Sequence, residues 1–393
     1  MNLASSTECT GCMACIDSCS HQALSSSIDP DGYYQIDFDT NKCVECGLCT
    51  RACPVLSPPG KSIERSRPYA AWSTHPKLRK KSASGGAFSA IASAILEEGG
   101  VVYGAAIEGF EIRHKRIERI EDLPPLLGSK YQQSIMTEVY KSIRQDLKNG
   151  RIVLFCGMAC QVAGLKNFLG KRNTDNLYTI DTICGGLSTM LPMLQLKQSG
   201  EYAGIVSFRD KENGWQSKGF RYALKMQKTD GSVENLGLDN LVLNTFSSKL
   251  LKRSSCLDCQ FTGNDRSSDC TIGDFWGDEK FKEQHQEGLS VLVTHNERIL
   301  PLLKRTNISI TPIRFHDFIH GNHNYYWTHY PQIRHFFSRK RALAAMRQGK
   351  SDIAAHLMRP NSMAGIYMRI YLKLNFLLRK SFMLKFLKTQ KYE

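Results

Sequence analysis

Eight cysteines near the start of the chain repeat one spacing twice. CTGCMACIDSCS and CVECGLCTRACP both read C-x2-C-x2-C-x3-C, using Cys9, Cys12, Cys15 and Cys19, then Cys43, Cys46, Cys49 and Cys53 before Pro54. A four-iron cube takes four soft thiolates at tetrahedral corners, and three cysteines on one tight loop supply three of them. The fourth cysteine of each run crosses to the other cube. The spacing therefore predicts one 4Fe-4S cluster on Cys9, Cys12, Cys15 and Cys53, and a second on Cys43, Cys46, Cys49 and Cys19. Zinc is the competing chemistry, but its structural sites need only four donors, which duplicated triplets exceed.

Six further cysteines follow. Cys160 opens a predicted helix after Gly157, Cys184 precedes Gly185-Gly186, and Cys256 and Cys259 form a late Cys-x-x-Cys pair. If these lie at strand ends of one α/β layer they share an edge, and four thiolates are what a third cube needs. A zinc site, a redox disulfide or unrelated buried thiols fit the same spacing. Cys156 falls inside the apolar run RIVLFC and Cys270 inside the alternating run SDCTIGDFW; both read as small buried hydrophobes.

The elements that position these residues change character along the chain. Residues 1–56 resemble a bacterial two-cluster ferredoxin throughout, with Ser20 where the first run would usually carry proline. Residues 57–67, SPPGKSIERSR, are rich in Pro, Ser and charge and read as a linker. Strands and helices then alternate: a helix from about Gly86 to Glu98, a strand VVYGAAI, a strand RIVLFC breaking at Gly157 into a helix, a strand LYTIDTIC ending at Cys184, and a helix around Leu191 to Lys197. Such alternation predicts an α/β layer with its site at strand ends. From Ile205 to Leu243 short strands and polar turns predict an antiparallel part. The expected fold is α+β to α/β: a ferredoxin domain, a mixed α/β domain over 68–335, and a basic helical tail over 336–393.

The totals agree. With 393 residues the chain holds two or three domains, and 41% hydrophobic with 23% charged residues is ordinary for a globular protein. MNLASSTECT lacks the basic start and apolar stretch of a secretory leader. Fourteen cysteines then point to metal or redox chemistry in a reducing compartment, the cytoplasm, rather than to disulfides. The formal charge of +15 counts every cysteine as neutral. Three cubes with their thiolates, each at about −2, would remove about six of those charges. Charge alone argues weakly for nucleic acid, and no binding module accompanies it.

The segments GMACQ, ICGG, FRDKENGW, RSSCLDCQF, SDCTIGDFWG, KSASGGAFS and GSKYQQS resemble motifs of the coenzyme F(420) hydrogenase/dehydrogenase beta-subunit family, from Cys9 to about Trp276. The resemblance implies an iron–sulfur flavoprotein in which FAD sits beside a cluster and passes hydride to or from an organic substrate. It implies that Cys160, Cys184, Cys256 and Cys259 ligate a third 4Fe-4S cluster, and gives Cys156 and Cys270 no ligand role. Met158-Ala159 stand for the family's Thr-Pro, and Gly185 for its His, which spares the thiolates but touches substrate contacts. Clusters carry single electrons and most organic reductions need two, so a flavin is a natural terminus. Ser84, Gly85 and Gly86, at a helix start, would offer backbone N–H groups to a pyrophosphate, or form only a tight turn. Ser129, Lys130 and Tyr131 would add hydroxyls, a cation and a ring. Arg209, Lys211 and Trp215 would hold an acidic substrate, or form a solvated turn; Asp274 would be a proton donor or a turn residue.

The tail segments RHFFSRKRALAAMRQGK and IYMRIYLKLNFLLRKSFMLKFLK are basic and helix-friendly, with Arg369, Lys373, Lys380 and Lys391 near one face. This predicts a helix on an anionic membrane surface or a partner protein, or one packed on the domain with its charges in water. Two functional expectations follow. One is a flavin-dependent oxidoreductase fed by an external protein donor or acceptor; the family's eponymous coenzyme and a sugar-linked compound are its candidate substrates. The other is an electron-transfer subunit serving a partner enzyme, with no small-molecule substrate of its own.

Overall fold

The two cysteine runs fold as two copies of one loop. Gly11 and Met13 adopt left-handed conformations (φ 68° and 63°), and so do the equivalent Glu45 and Gly47 (φ 54° and 73°). The first turn in each copy points an N–H at a sulfur: Gly11 to Cys9 Sγ and Glu45 to Cys43 Sγ, both at 3.4 Å. Each loop enters a short helix, α1 (Ala14–Ser18) or α2 (Leu48–Ala52). Between them β1 (Leu24–Ile28) and β2 (Tyr34–Phe38) pair antiparallel, with Leu24 opposite Phe38. The computed structural model describes residues 2–60, 66–170, 172, 174–212, 214–215, 223–237, 240–276, 279–359 and 361–389. Residues 61–65 of the expected linker therefore lie outside the described residues, as do Asn213, Gly277 and Lys391.

A nine-stranded mixed sheet forms the body. Its first strands are β3 (Arg67–Ser73), β4 (Val101–Glu108), β5 (Glu111–Ile117), β6 (Ser134–Ile135), β7 (Val153–Met158) and β8 (Leu177–Thr182). A separate antiparallel sheet follows, of β9 (Tyr202–Ser207), β10 (Lys225–Lys228) and β11 (Val233–Asn235), where the short alternating segments predicted one. The chain then returns to the large sheet with β12 (Cys270–Asp274), β13 (Ser290–Thr294) and β14 (Ile308–Pro312). The order is β14-β3-β13-β12-β8-β7-β4-β5-β6. β4, β7, β8 and β12 are parallel and central, so their carboxyl ends share an edge.

Three helices bear on the site: α3 (Ala87–Glu97), α4 (Val139–Lys148) and α5 (Ala159–Leu169). β7 runs one residue past the expected break at Gly157, because Gly157 and Met158 stay in register with Asp181 and Thr182 of β8. β8 ends at Thr182, two residues before Cys184. β3 begins at Arg67, the last residue of the expected linker.

The ferredoxin-like part is not a bead on a tether. Met13, Ala14, Tyr34 and Ala52 share one apolar cluster with Tyr140, Phe155 and Phe168. Arg253, buried, donates Nε to Cys9 O and Nη1 to Tyr34 O, both at 2.7 Å. Asp17, also buried, accepts the N–H of Glu138 at 2.7 Å and of Tyr140 at 2.9 Å. Those are donors at the start of α4, whose own N-cap, Glu138, makes no side-chain capping bond; a residue about 120 positions away caps the helix.

The tail forms α6 (Phe337–Arg347), α7 (Ser351–Met358) and α8 (Met363–Thr389). Phe386 of α8 packs edge-on against Phe315 at 5.5 Å, and Tyr371 against Phe336 at 5.3 Å. Among the described residues no helix is long and apolar enough to cross a membrane.

The cap gives a direct test of docking. Asp17→Ala strands two amide donors at about 1–3 kcal/mol each, so unfolding of the full chain should shift by ~2–6 kcal/mol. Asp17→Asn keeps one acceptor and should lose about half as much. Urea titration of both variants checks this.

Candidate functional site

Three groups of four thiols form. In the first, burial and then the charges of Cys9 and Cys53 push Cys12 up to about 12. Cys15 is raised well above its ordinary value by burial, then by Cys12, Cys9 and Cys53. In the second, Cys19, Cys43, Cys46 and Cys49 line one cavity with His21, Ala23 and Leu24. The crossing of Cys19 and Cys53 between the two runs is thus present in the geometry. This second group faces outward: Cys46 is exposed, and Val44 beside it is 56% exposed.

The third group forms where β7 and β8 end. Cys160 is the second residue of α5, and Cys184 follows β8 by two residues. Burial raises Cys160 well above the ordinary thiol value, followed by Cys259, Cys12, Cys184 and Cys256. Burial pushes Cys259 up to about 12, and Cys256 and Cys184 add to it. Gly186 N–H points at Cys184 Sγ (3.3 Å) and Leu187 N–H at Cys256 Sγ (3.4 Å). The double glycine is required here. A Cβ on Gly186 would lie 3.0 Å from Cys256 Cβ, and one on Gly185 would lie 3.1 Å from Asn324 Nδ2. A side chain at Gly185, one departure from the family pattern, would therefore displace the Asn324 amide by a few tenths of an ångström. Met158, the other departure, sets its Sδ 3.9 Å from Cys184 Sγ.

Among the described residues no three His, Cys, Asp or Glu donors gather closely enough to hold a single ion. A four-iron cube sets a different demand, because its thiolates sit at separate corners. The surroundings fit that demand. Buried thiols that raise one another's pKa ionise only against positive charge, and amide N–H groups already face the sulfurs.

Spacing alone did not find two cations here. Lys252 is buried, donates to Gly186 O at 3.0 Å, and lies close enough to Cys184 and Cys256 to interact with both; burial lowers it to about 7. Arg266 pairs with Asp181 at 3.0 Å with both side chains almost fully buried, and Ser268 Oγ donates to the same carboxylate at 2.8 Å. Lys252 lies four residues before Cys256, and that proximity was the available signal for it; nothing in the spacing marked Arg266. Cys156 and Cys270 stand apart, inside β7 and at the start of β12, with burial pushing Cys156 up to about 12.

The first and third groups are neighbours. Cys12 is among the charges acting on Cys160, and a Cβ on Gly164 of α5 would lie 3.1 Å from Cys12 Sγ. Tyr140 Oη contacts Cys12 O at 2.9 Å and Gln161 O at 3.2 Å, bridging the two segments.

The residues expected near a flavin and a substrate also converge, in altered roles. Arg209 donates to Asp274 Oδ2 at 2.9 Å and to Ser129 Oγ at 3.3 Å. Lys211 donates to Arg79 O, Ser84 O and Glu287 O at 2.5–2.8 Å. Three carbonyl acceptors use all three donors of an ammonium, so Lys211 clamps the Ser84 loop rather than presenting a charge to a substrate. The loop itself is not a bare anion cradle: Gly85 N–H donates to Ser290 Oγ at 3.0 Å and Ser84 Oγ to Leu289 O. Gly86 caps α3 with φ 87°. Lys130 Nζ donates to Leu127 O at 2.7 Å, and burial lowers it to about 7. Trp215 is buried in the core and stacks on Trp276 at 4.4 Å, so it is neither part of a solvated turn nor open to a substrate. Tyr131 stacks on Phe246 at 4.2 Å.

A 4Fe-4S dicluster domain model matches residues 8–56. The models of the coenzyme F(420) hydrogenase/dehydrogenase beta subunit match residues 68–141 with its N-terminal part and 150–312 with its C-terminal part. The chain belongs to this family of redox enzyme subunits, carrying an iron–sulfur dicluster domain ahead of it. A chain in the xenon-derivatised F(420)-reducing NiFe hydrogenase complex from Methanosarcina barkeri is 16% identical, over 75% of this chain and 91% of that one, with a TM-score of 0.42. No curated protein matches.

The Arg266–Asp181 pair yields a stability test. Arg266→Met leaves Asp181 buried and uncompensated, an expected loss of about 3–5 kcal/mol. Denaturant unfolding of the variant, compared with Ser268→Ala (about 1 kcal/mol), should show that ranking.

Proposed function

We propose that this chain is an iron–sulfur oxidoreductase with three 4Fe-4S clusters and FAD, working in the reducing cytoplasm. The three cysteine groups would lie in series from surface to sheet edge. The observation that carries the reading is the approach of Cys12 to Cys160 across Gly164. It supports a path from the dicluster domain's inner group to the group at the strand ends. The outer group, with Cys46 and Val44 exposed, is the place for an external protein donor or acceptor to dock. Four-iron clusters exchange single electrons, and a flavin, when bound, would join two of them into a hydride.

The chain's own residues would position and insulate this route. Asp17 fixes the dicluster domain against α4, and Arg253 ties it to the segment ahead of Cys256. Amide N–H groups face sulfurs in all three groups, a feature that adjusts cluster potential. Lys252 and Arg266 supply positive charge beside the inner thiols. The place proposed for flavin is bounded by Tyr131, Trp276 and the Arg209–Asp274 pair. Aromatic planes suit a conjugated ring, whereas Ser84, Gly85 and Lys130 already use polar groups within the fold. The family's name makes coenzyme F(420) the first substrate to screen, with sugar-linked compounds next.

One observation favours a second reading. Arg209 is paired with Asp274 and Lys211 is fully engaged, so neither cation is offered to an acidic substrate. An electron-transfer subunit serving a partner enzyme would have that property. Dye reduction without turnover of any small molecule would select it.

Iron, acid-labile sulfide and extracted flavin per chain, on anaerobically purified protein, test the main reading. About twelve irons with one FAD are expected. Cys256→Ala should fall to about eight irons, while Cys270→Ala keeps about twelve. A wild-type value near eight irons without flavin would sink both the third cluster and the flavin.

A further inference from the structure

The last long helix, α8, lies beyond residue 312, where the family match ends. It is apolar on two opposite faces. The inner face, with Met368, Tyr371, Leu372, Met383, Phe386 and Leu387, packs on the core around Phe315, Tyr325 and Phe336. The outer face carries Met363, Ile366, Ile370, Leu374, Leu377 and Leu384, spaced by three, four or seven residues and therefore on one stripe. These side chains are between 39% and 83% exposed. A helix that is hydrophobic all round is normally covered on every side. At 1.5 Å per residue, the outer stripe runs for about 30 Å.

Charge selects what covers it. From Arg359 to Thr389 the sequence has no Asp or Glu, while α8 carries Arg369, Lys373, Arg379, Lys380, Lys385 and Lys388. All but Arg379 are exposed. Lys373 and Lys380 flank the stripe at the same helical angle, seven residues apart. A second copy of this helix would set base against base with no acid to pair. A protein interface usually supplies a hydrogen bond per 100–200 Å², yet the stripe's one uncharged polar group is Ser381. A bilayer surface needs neither complementary pockets nor such bonds. Its apolar interior accepts Leu, Ile and Met, and anionic headgroups accept the flanking bases.

We propose that α8 is a membrane-surface helix, held in helical form by its inner face and laying its outer stripe into the headgroup boundary of an anionic bilayer. It would mount the redox domain on the membrane without crossing it. The inference rests on residues outside the cysteine groups and is independent of the cofactor content proposed above.

Vesicle co-sedimentation of the full-length, iron-loaded protein tests it. Vesicles would be phosphatidylcholine alone, or phosphatidylcholine with about one-third phosphatidylglycerol. Expected is roughly tenfold more protein on the anionic vesicles, declining as salt screens the headgroups. Leu374→Glu with Leu377→Glu should reduce that binding about tenfold, with iron content and unfolding midpoint unchanged, because neither residue faces the core. Lys373→Ser with Lys380→Ser should remove only the preference for anionic vesicles. Wild-type protein left in the supernatant, or undiminished binding of the double-glutamate variant, would overturn the proposal. So would a dimer in sedimentation velocity that those glutamates abolish while vesicles stay unbound.

Discussion

Everything in this fold answers to one electrostatic constraint: buried thiols that come together resist ionisation. Cys160 feels the low polarity around it first and then Cys259, Cys12, Cys184 and Cys256. An arrangement of that kind, on ordinary packing grounds, would be expected to spread apart or oxidise. Instead the chain brings the sulfurs in from a helix start, a strand end and a loop, and surrounds them with partial positive charge. Amides of Gly11, Gly186 and Leu187 face sulfur, and Lys252 is held within the core beside them. The backbone is shaped for the same purpose, with non-glycine residues Met13 and Glu45 kept in left-handed conformations that cost about 1–2 kcal/mol each.

The second consequence is that the dicluster domain cannot be loosely attached. Where Cys12 meets α5 the interface is built of buried, closely packed residues. Gly164 removes the side chain that would keep them apart. Arg253 and Asp17 then convert the contact into hydrogen bonds to buried main-chain groups, whose loss is costly because no water replaces them. A polar anchor beside a small-residue contact gives both approach and register, which apolar packing alone would leave free to slide.

Much of this was legible from spacing. Tight Cys-x-x-Cys geometry fixes which thiols share a corner set, so the crossing of Cys19 and Cys53 followed from the runs themselves. Alternating strands and helices put Cys160 and Cys184 at neighbouring strand ends, and the register of Met158 with Thr182 bears that out. What escaped were contacts between distant segments. Asp17 capping α4 and Lys211 closing on Ser84 O depend on tertiary approach, which no local pattern encodes. The charged neighbours of Trp215 suggest a substrate contact or a solvated turn, while its actual partner, Trp276, is 61 residues away. The two-sided apolar character of α8 was hidden for another reason. Opposed faces cancel in a periodicity reading, and only burial separates the face that packs from the face that does not.

The motif residues around Arg209 show why a family pattern is a poor guide to side-chain role. Phe208 is buried, Arg209 meets Asp274, Lys211 holds the Ser84 loop, and Trp215 stacks on Trp276. Arg209, Lys211 and Trp215 join the chain after β9 to the carboxyl end of β12 or the start of α3. Together they hold three separate segments in place along the sheet edge where the inner thiols lie. A residue set that builds the walls of a site is under the same positional demand as one that touches a ligand. Its spacing is therefore just as regular. Lys211 makes the difference concrete: an ammonium facing a substrate must keep donors free, and this one has given all three to carbonyl oxygens.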